Sequence, residues 1–89
     1  MMFEWDEEKR RLNLRKHGID FVDAQSVFAE GSVYTYPSPK NDEDRWVTVG
    51  PVENRLIAVI WTDRGDAVRL ISARRARNEE KRHYHKIFG

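Results

Sequence analysis

Polar and apolar positions along this chain change period twice, from helical to alternating and back to helical. A short stretch, Phe3 to Trp5, reads as a first strand. Asp6 then caps a helix running to about His17, with Glu7 and Glu8 in the first turn where the helix dipole favours acids. That helix is odd. Its only apolar residues, Leu12 and Leu14, sit two apart and point to nearly opposite sides, whereas Lys9, Asn13, Lys16 and His17 share a polar stripe. Gly18 suits the left-handed position that ends a helix, and Ile19 is placed to fold back on Leu14. Asp20 caps a second helix, where Phe21, Ala24 and Phe28 recur at core spacing up to a stop near Glu30 and Gly31.

Alternation takes over at Ser32. Four strands are predicted, over 32–37, 45–52, 55–63 and 67–74, the first two separated by the turn-rich stretch "SPKNDED". Glu53-Asn54 and Arg64-Gly65-Asp66 are connections too short for anything but antiparallel neighbours. In the third of these strands Leu56, Ala58 and Ile60 share one face and Ile57, Val59 and Trp61 the other, the pattern of a central strand covered on both sides. Asn78 is expected to cap a last helix to about Phe88, with Glu79 and Glu80 in its first turn and Tyr84, Ile87 and Phe88 facing inward. The expected class is α+β: a twisted antiparallel sheet, made of the short N-terminal strand and a four-strand meander, packed with two N-terminal helices and one C-terminal helix.

Composition narrows the chemistry. Eighty-nine residues fit a single domain over 1–89 with one modest core. With no cysteine, disulfides, thiolate metal sites and cysteine nucleophiles are excluded. The longest apolar run, Leu56 to Trp61, is too short to span a membrane. The N-terminus is acidic within four residues and lacks the regions of a signal peptide, so a cytoplasmic protein is expected. A net charge of +1 hides a segregation. Residues 69–86 carry seven basic side chains against two acidic ones, and residues 20–44 carry six acidic against one basic. The basic segment can attract a polyanion, or serve simply as a solvated helix face.

The ordered set of residues resembles a known family. Trp5-Asp6, Lys9, Asn13, Lys16-His17-Gly18, Phe21, Ala24 and Val27-Phe28 are similar to the N-terminal signature of the BrnT toxins of bacterial type II toxin–antitoxin systems. Arg45, Gly50, "VIWTDRG" (Val59 to Gly65) and "RLISARRARNEEKRHY" (Arg69 to Tyr84) resemble the family's later motifs. The resemblance covers essentially the whole chain. It implies a RelE-like fold and a ribonuclease that arrests translation. It also implies neutralisation by a BrnA-type antitoxin, a ribbon-helix-helix DNA-binding protein, in a complex with two copies of each chain that represses its own operon. DNA would be met only through the antitoxin, and no membrane is involved.

RNA carries its own nucleophile, the 2′-OH. An enzyme need only remove that proton, stabilise the crowded phosphate and protonate the leaving 5′ oxygen; guanidinium and ammonium groups can supply the electrostatic part without metal or other cofactor. The candidates are His17 as base or acid, Glu80 as base, Tyr84 as proton donor or stacking platform, and Arg45, Arg64 and Arg74 as phosphate clamps. Lys9, Asn13, Lys16, Arg75 and Arg77 extend the expected binding surface. Arginine suits such points because its planar fork can hold two phosphate oxygens at once. Each has a plainer reading. His17 lies in the last turn of a helix, where the dipole favours a cation anyway. Tyr84 shares its face with Ile87 and Phe88. Arg64 follows Asp63 at a turn and can pair with it. His83 and His85 point about 200° apart on a helix, so they cannot share a metal ion.

Two other readings compete. One is a non-catalytic module that holds the antitoxin and acts as co-repressor. The other is a single-stranded nucleic-acid binder that stacks bases on Trp46, Trp61 or Tyr84. All versions of the site rest on one geometric expectation: the first helix and the C-terminal arginines meet around one anion-binding hollow.

Overall fold

Asp6 ends the first strand and starts the first helix, its carboxylate accepting from the backbone N–H of Glu8 at 2.8 Å and of Lys9 at 3.4 Å. The computed structural model describes residues 1–29, 31–39 and 44–89. The elements run β1 (Met2–Glu4), α1 (Glu7–His17), α2 (Phe21–Ala24), a 3₁₀ turn (Gln25–Ala29), β2 (Tyr34–Ser38), β3 (Arg45–Val52), β4 (Arg55–Asp63), β5 (Ala67–Arg75) and α3 (Asn78–Phe88). The expected helix end at Glu30 and the middle of the loop between β2 and β3 lie outside the described residues.

The five strands form one sheet in the order β1-β5-β4-β3-β2. The meander β2 to β5 is antiparallel, as the short connections required. Glu53 and Asn54 both take positive φ, the two-residue turn whose twist matches that of the strands it joins. β1 instead lies parallel to β5, Phe3 opposite Val68, so the sheet is mixed. β4 sits in the middle and is covered on both faces. Ile57 and Val59 enter a core with Ile19, Phe21, Ala24, Val27, Leu70 and Ala73 beneath the N-terminal helices. Ala58 joins a second cluster with Val47, Val49, Ala76 and Tyr84 beneath α3. Gly50 lets the first layer close. A Cβ there would stand 2.5 Å from Val33 Cγ1 and 2.8 Å from Val27 Cγ2.

The helices depart from expectation in three ways. The second is α-helical only to Ala24 and then tightens to 3₁₀, where the Ser26 hydroxyl donates to the carbonyl of Asp23 and competes with regular helix bonding. Arg77, not Asn78, is the residue before α3, and the return half of a capping box comes from Glu80, whose carboxylate accepts the Arg77 N–H at 2.8 Å. Ile87 and Phe88, expected to face inward, are 51% and 40% exposed, with the Phe88 ring resting on that of Tyr84 at 4.8 Å.

α1 inverts the usual rule. Leu12 and Leu14 are 53% and 42% exposed, while Asn13 is 7% exposed. Ile19, expected to rest on Leu14, is buried in the core. Beyond Arg69, no strand of the described residues lies on the outer side of β5, and the Asn13 amide fills that place. Its Nδ2 donates to the Ala73 and Ile19 carbonyls, each at 2.9 Å, and its Oδ1 accepts from the Ala73 N–H at 3.1 Å and the Ser72 hydroxyl at 3.2 Å. One side chain thus satisfies both backbone groups of an edge residue, as a neighbouring strand would. This fixes α1 along the β5 edge. Arg10 secures the next turn, pairing with Glu7 at 2.8 Å and with the Asp20 cap at 2.9 Å.

Candidate active site

Pairing places Tyr34, Tyr36, Val47, Val49, Ala58, Ile60, Ser72 and Arg74 on the face that carries α3. α3 covers only one end of it. Over the rest lies a hollow of about 280 Å³ whose walls include Tyr36, Arg45, Ile60, Ser72, Arg74 and Arg77. β2 and β5 are separated here by two strands, a backbone distance on the order of 14 Å. Glu80 closes that gap from above.

The Glu80 carboxylate is the organising group. It accepts two bonds from Arg74, Nη1 at 2.7 Å and Nη2 at 3.0 Å, the bidentate fork that makes an arginine–carboxylate pair strong. The Tyr36 hydroxyl donates to it from the far strand, and the Arg77 backbone N–H donates from the start of α3. Both partners of the ion pair are largely buried, Arg74 at 16% and Glu80 at 7% side-chain exposure. Burial would push the Glu80 carboxyl up, but the Arg74 guanidinium, the Arg77 N–H and the Tyr36 hydroxyl outweigh it and hold it at about 2. Arg74 is raised in turn, chiefly by its bonds to Glu80. Burial first, and then the charge of Glu80, push Tyr34 up to about 12; burial, and then its hydrogen bond to Glu80, push Tyr36 upward as well. At neutral pH the site is therefore one fixed carboxylate, one fixed guanidinium and two neutral phenols.

A second hollow, about 210 Å³, runs along the β5 edge between α1 and the sheet, lined by Lys9, Leu12, Asn13, Lys16, His17, Ile71 and Ser72. It and the Arg74 hollow share Ile71 and Ser72. At that point β5 carries one extra residue, since Ile60 faces Ser72 while Trp61 faces Leu70, leaving Ile71 as a bulge. Bulges bend a strand and re-aim its side chains. The polar stripe of α1 and the arginines Arg45, Arg74 and Arg77 therefore border two adjoining hollows rather than the single hollow expected, and Asn13 is spent on hydrogen bonds to Ile19, Ser72 and Ala73.

Other candidates lie elsewhere. Arg64 sits in the β4–β5 turn, at the opposite end of β5 from Arg74 and on the order of 20 Å away. Its neighbour Asp63 accepts the Gly65 N–H at 2.8 Å instead of pairing with it. Arg75 alternates to the other face and borders a hollow with Arg55, Lys81 and His85. Tyr84 is buried, with its hydroxyl donating to the Ser32 carbonyl at 3.0 Å. Trp46 and Trp61 lie on the face opposite Arg74, where the Trp61 Nε1 donates to Thr48 at 2.8 Å and its ring meets Phe28 edge-on. Among the described residues no three His, Asp or Glu side chains cluster closely enough to hold a metal ion. Sequence reasoning missed Tyr36. Its alternation with Tyr34 placed both rings on one face, but nothing local said that this face would meet Glu80.

The chain is a small α+β fold with a braced arginine in an open, cation-lined hollow on its sheet, and guanidinium groups so placed can pair with an anion such as a phosphate. The chain belongs to the family of ribonuclease toxins, BrnT, of type II toxin–antitoxin systems, whose family model matches residues 5–80. That span takes in Lys9, Asn13, Lys16, His17, Arg45, Arg74, Arg77 and Glu80. Membership implies an RNA target and an antitoxin partner. No curated protein matches the chain. No helix among the described residues is long and apolar enough to cross a membrane.

Proposed function

We propose that the protein is a metal-independent endoribonuclease whose cleavage of RNA inhibits translation, with the Arg74 hollow as its active site. One observation carries this: Arg74 is locked by Glu80 on an open sheet face that also presents Arg45 and Arg77. A guanidinium already fixed in place costs no reorganisation when charge builds on the phosphate, and removing one such donor is worth about 3 kcal/mol in the barrier. Arg45, Arg74 and Arg77 hold the scissile phosphate. Lys9 and Lys16 continue the cationic track along the adjoining hollow.

Glu80 is a positioning residue in this reading. A carboxylate held at about 2, with both oxygens engaged, is too weak a base to take the 2′-OH proton at neutral pH. Proton transfer falls to His17, the imidazole that borders the adjoining hollow. Tyr84 supports α3 from the core. The antitoxin is proposed to be of BrnA type, bound as two copies of each chain.

The test is to incubate the purified protein with RNA in excess EDTA and identify the new ends. Cleavage leaving 2′,3′-cyclic phosphate and 5′-hydroxyl ends is expected, and it should be lost with His17→Ala. Cleavage that needs added divalent metal, or ends with a 5′-phosphate, would overturn the mechanism. A protein that cuts nothing yet co-purifies with its antitoxin is the holding module instead.

A further inference from the structure

A separate hollow of about 520 Å³, within the roughly 300–1,000 Å³ usual for small-ligand sites, opens beside the Arg74 hollow at the free edge of β2. Its walls are Tyr34, Thr35, Tyr36, Glu79, Glu80 and His83. Tyr36 belongs to both hollows and forms the partition between them. The two differ sharply in chemistry. One is lined by arginines; the other has, among the described residues, two carboxylates and three rings and neither arginine nor lysine. The Tyr34 and Tyr36 rings lie nearly parallel, 25° apart with centroids 6.1 Å apart, and the His83 ring stands 4.8 Å from Tyr34. Hydroxyl bonds to Glu80 anchor both phenols, Tyr34 to its carbonyl at 3.0 Å and Tyr36 to its carboxylate, so both rings are held in fixed orientation in the wall of the hollow.

We propose that this second hollow is a nucleobase subsite, receiving the base next to the phosphate held by Arg74. The proposal rests on the ribonuclease reading above and deepens it. Carboxylates repel a phosphate, while flat rings of fixed orientation suit a base lifted out of a stack. A chain whose phosphate lies against Arg74 therefore has a place for its neighbouring base just across Tyr36. Glu80 is fully engaged, but Glu79 is exposed and makes no hydrogen bond or ion pair among the described residues. A carboxylate only accepts, so it favours a base whose pairing edge offers adjacent donors. Guanine does, through N1–H and N2–H₂. Uracil sets carbonyls on either side of its single N–H and is disfavoured.

The experiment uses the full chain and a short oligoribonucleotide that it cuts at one bond, with each nucleotide in turn replaced by an abasic ribose. One replacement, beside the cut bond, is expected to lower kcat/KM on the order of tenfold through KM, the loss of one stacked base. His83→Ala, an exposed change that leaves the fold alone, should weaken cleavage of the intact oligonucleotide and match wild type on that abasic one. Glu79→Gln should narrow the preference for guanine over uracil at the same position. The subsite is overturned if no abasic replacement beside the cut bond matters by more than about twofold, if His83→Ala loses equally on both substrates, or if Glu79→Gln leaves base preference unchanged. A wild type that cuts no RNA at all removes the ribonuclease reading and the subsite with it; a wild type that cuts without regard to the base removes only the subsite.

Discussion

Replacing Glu80 by glutamine removes one charge and almost no volume, and the structure says what that charge is worth. The carboxyl is held at about 2 against an ordinary 4.5. Each tenfold change in proton affinity is about 1.4 kcal/mol, so the folded state gains about 3 kcal/mol from keeping Glu80 ionised. Because the folded value is depressed, that stability is fully present above about pH 4.5 and disappears as pH falls toward 2. A protonated glutamic acid and a glutamine are nearly isosteric, so the two proteins should converge in acid. At pH 7 the variant also leaves the Arg74 guanidinium, 16% exposed, without its counter-charge, the situation in which buried pairs are costly to break. Urea unfolding followed by tryptophan fluorescence, at pH 7, 5, 4 and 3, measures the difference directly. Glu80→Gln should be less stable by about 3 kcal/mol at pH 7, with the gap shrinking steadily below pH 4.5. Combining it with Arg74→Met should cost less than the sum of the single changes, since neither partner is then left alone. Equal stability at pH 7, or a gap that stays constant down to pH 3, would refute the assignment of Glu80 as the anchored partner of Arg74.

Two further changes probe the scaffold. Asn13→Ala strips four hydrogen bonds and leaves the Ala73 N–H and carbonyl at an edge without partners, so a loss of about 2–4 kcal/mol is expected in chemical denaturation; a loss below about 1 kcal/mol would mean that water replaces the amide. Gly50→Ala forces a methyl group against Val33 and Val27 and should cost about 1–3 kcal/mol, read as a lowered thermal midpoint.

Much of this fold was legible because its strands alternate cleanly. The two faces of β4, the tight Glu53-Asn54 turn and the left-handed Gly18 all follow from residue type and spacing. The direction of β1 did not, since three residues carry too little pattern to choose a partner strand. Asn13 reads as a surface residue at any window length. Its partners are backbone groups of a strand edge sixty residues away, and no periodicity reports an edge. The site shows the same division. Arg74 and Glu80 were visible as chemistry, and the α1 stripe was expected to share one hollow with the arginines; the structure gives them two, which meet at Ile71 and Ser72. What stayed hidden is that Glu80 would spend its charge on Arg74 and Tyr36, which depends on α3 crossing above four strands. That crossing turns an expected base into a brace.

The most direct test of the active-site assignment is the single-turnover rate of RNA cleavage by Arg74→Ala and Arg74→Lys, each shown by circular dichroism to be folded. The account predicts a drop of about 100- to 1,000-fold for alanine, with little recovery for lysine, which lacks the planar fork. Cleavage by folded Arg74→Ala within about threefold of wild type would contradict it, and would move the chemistry away from this hollow.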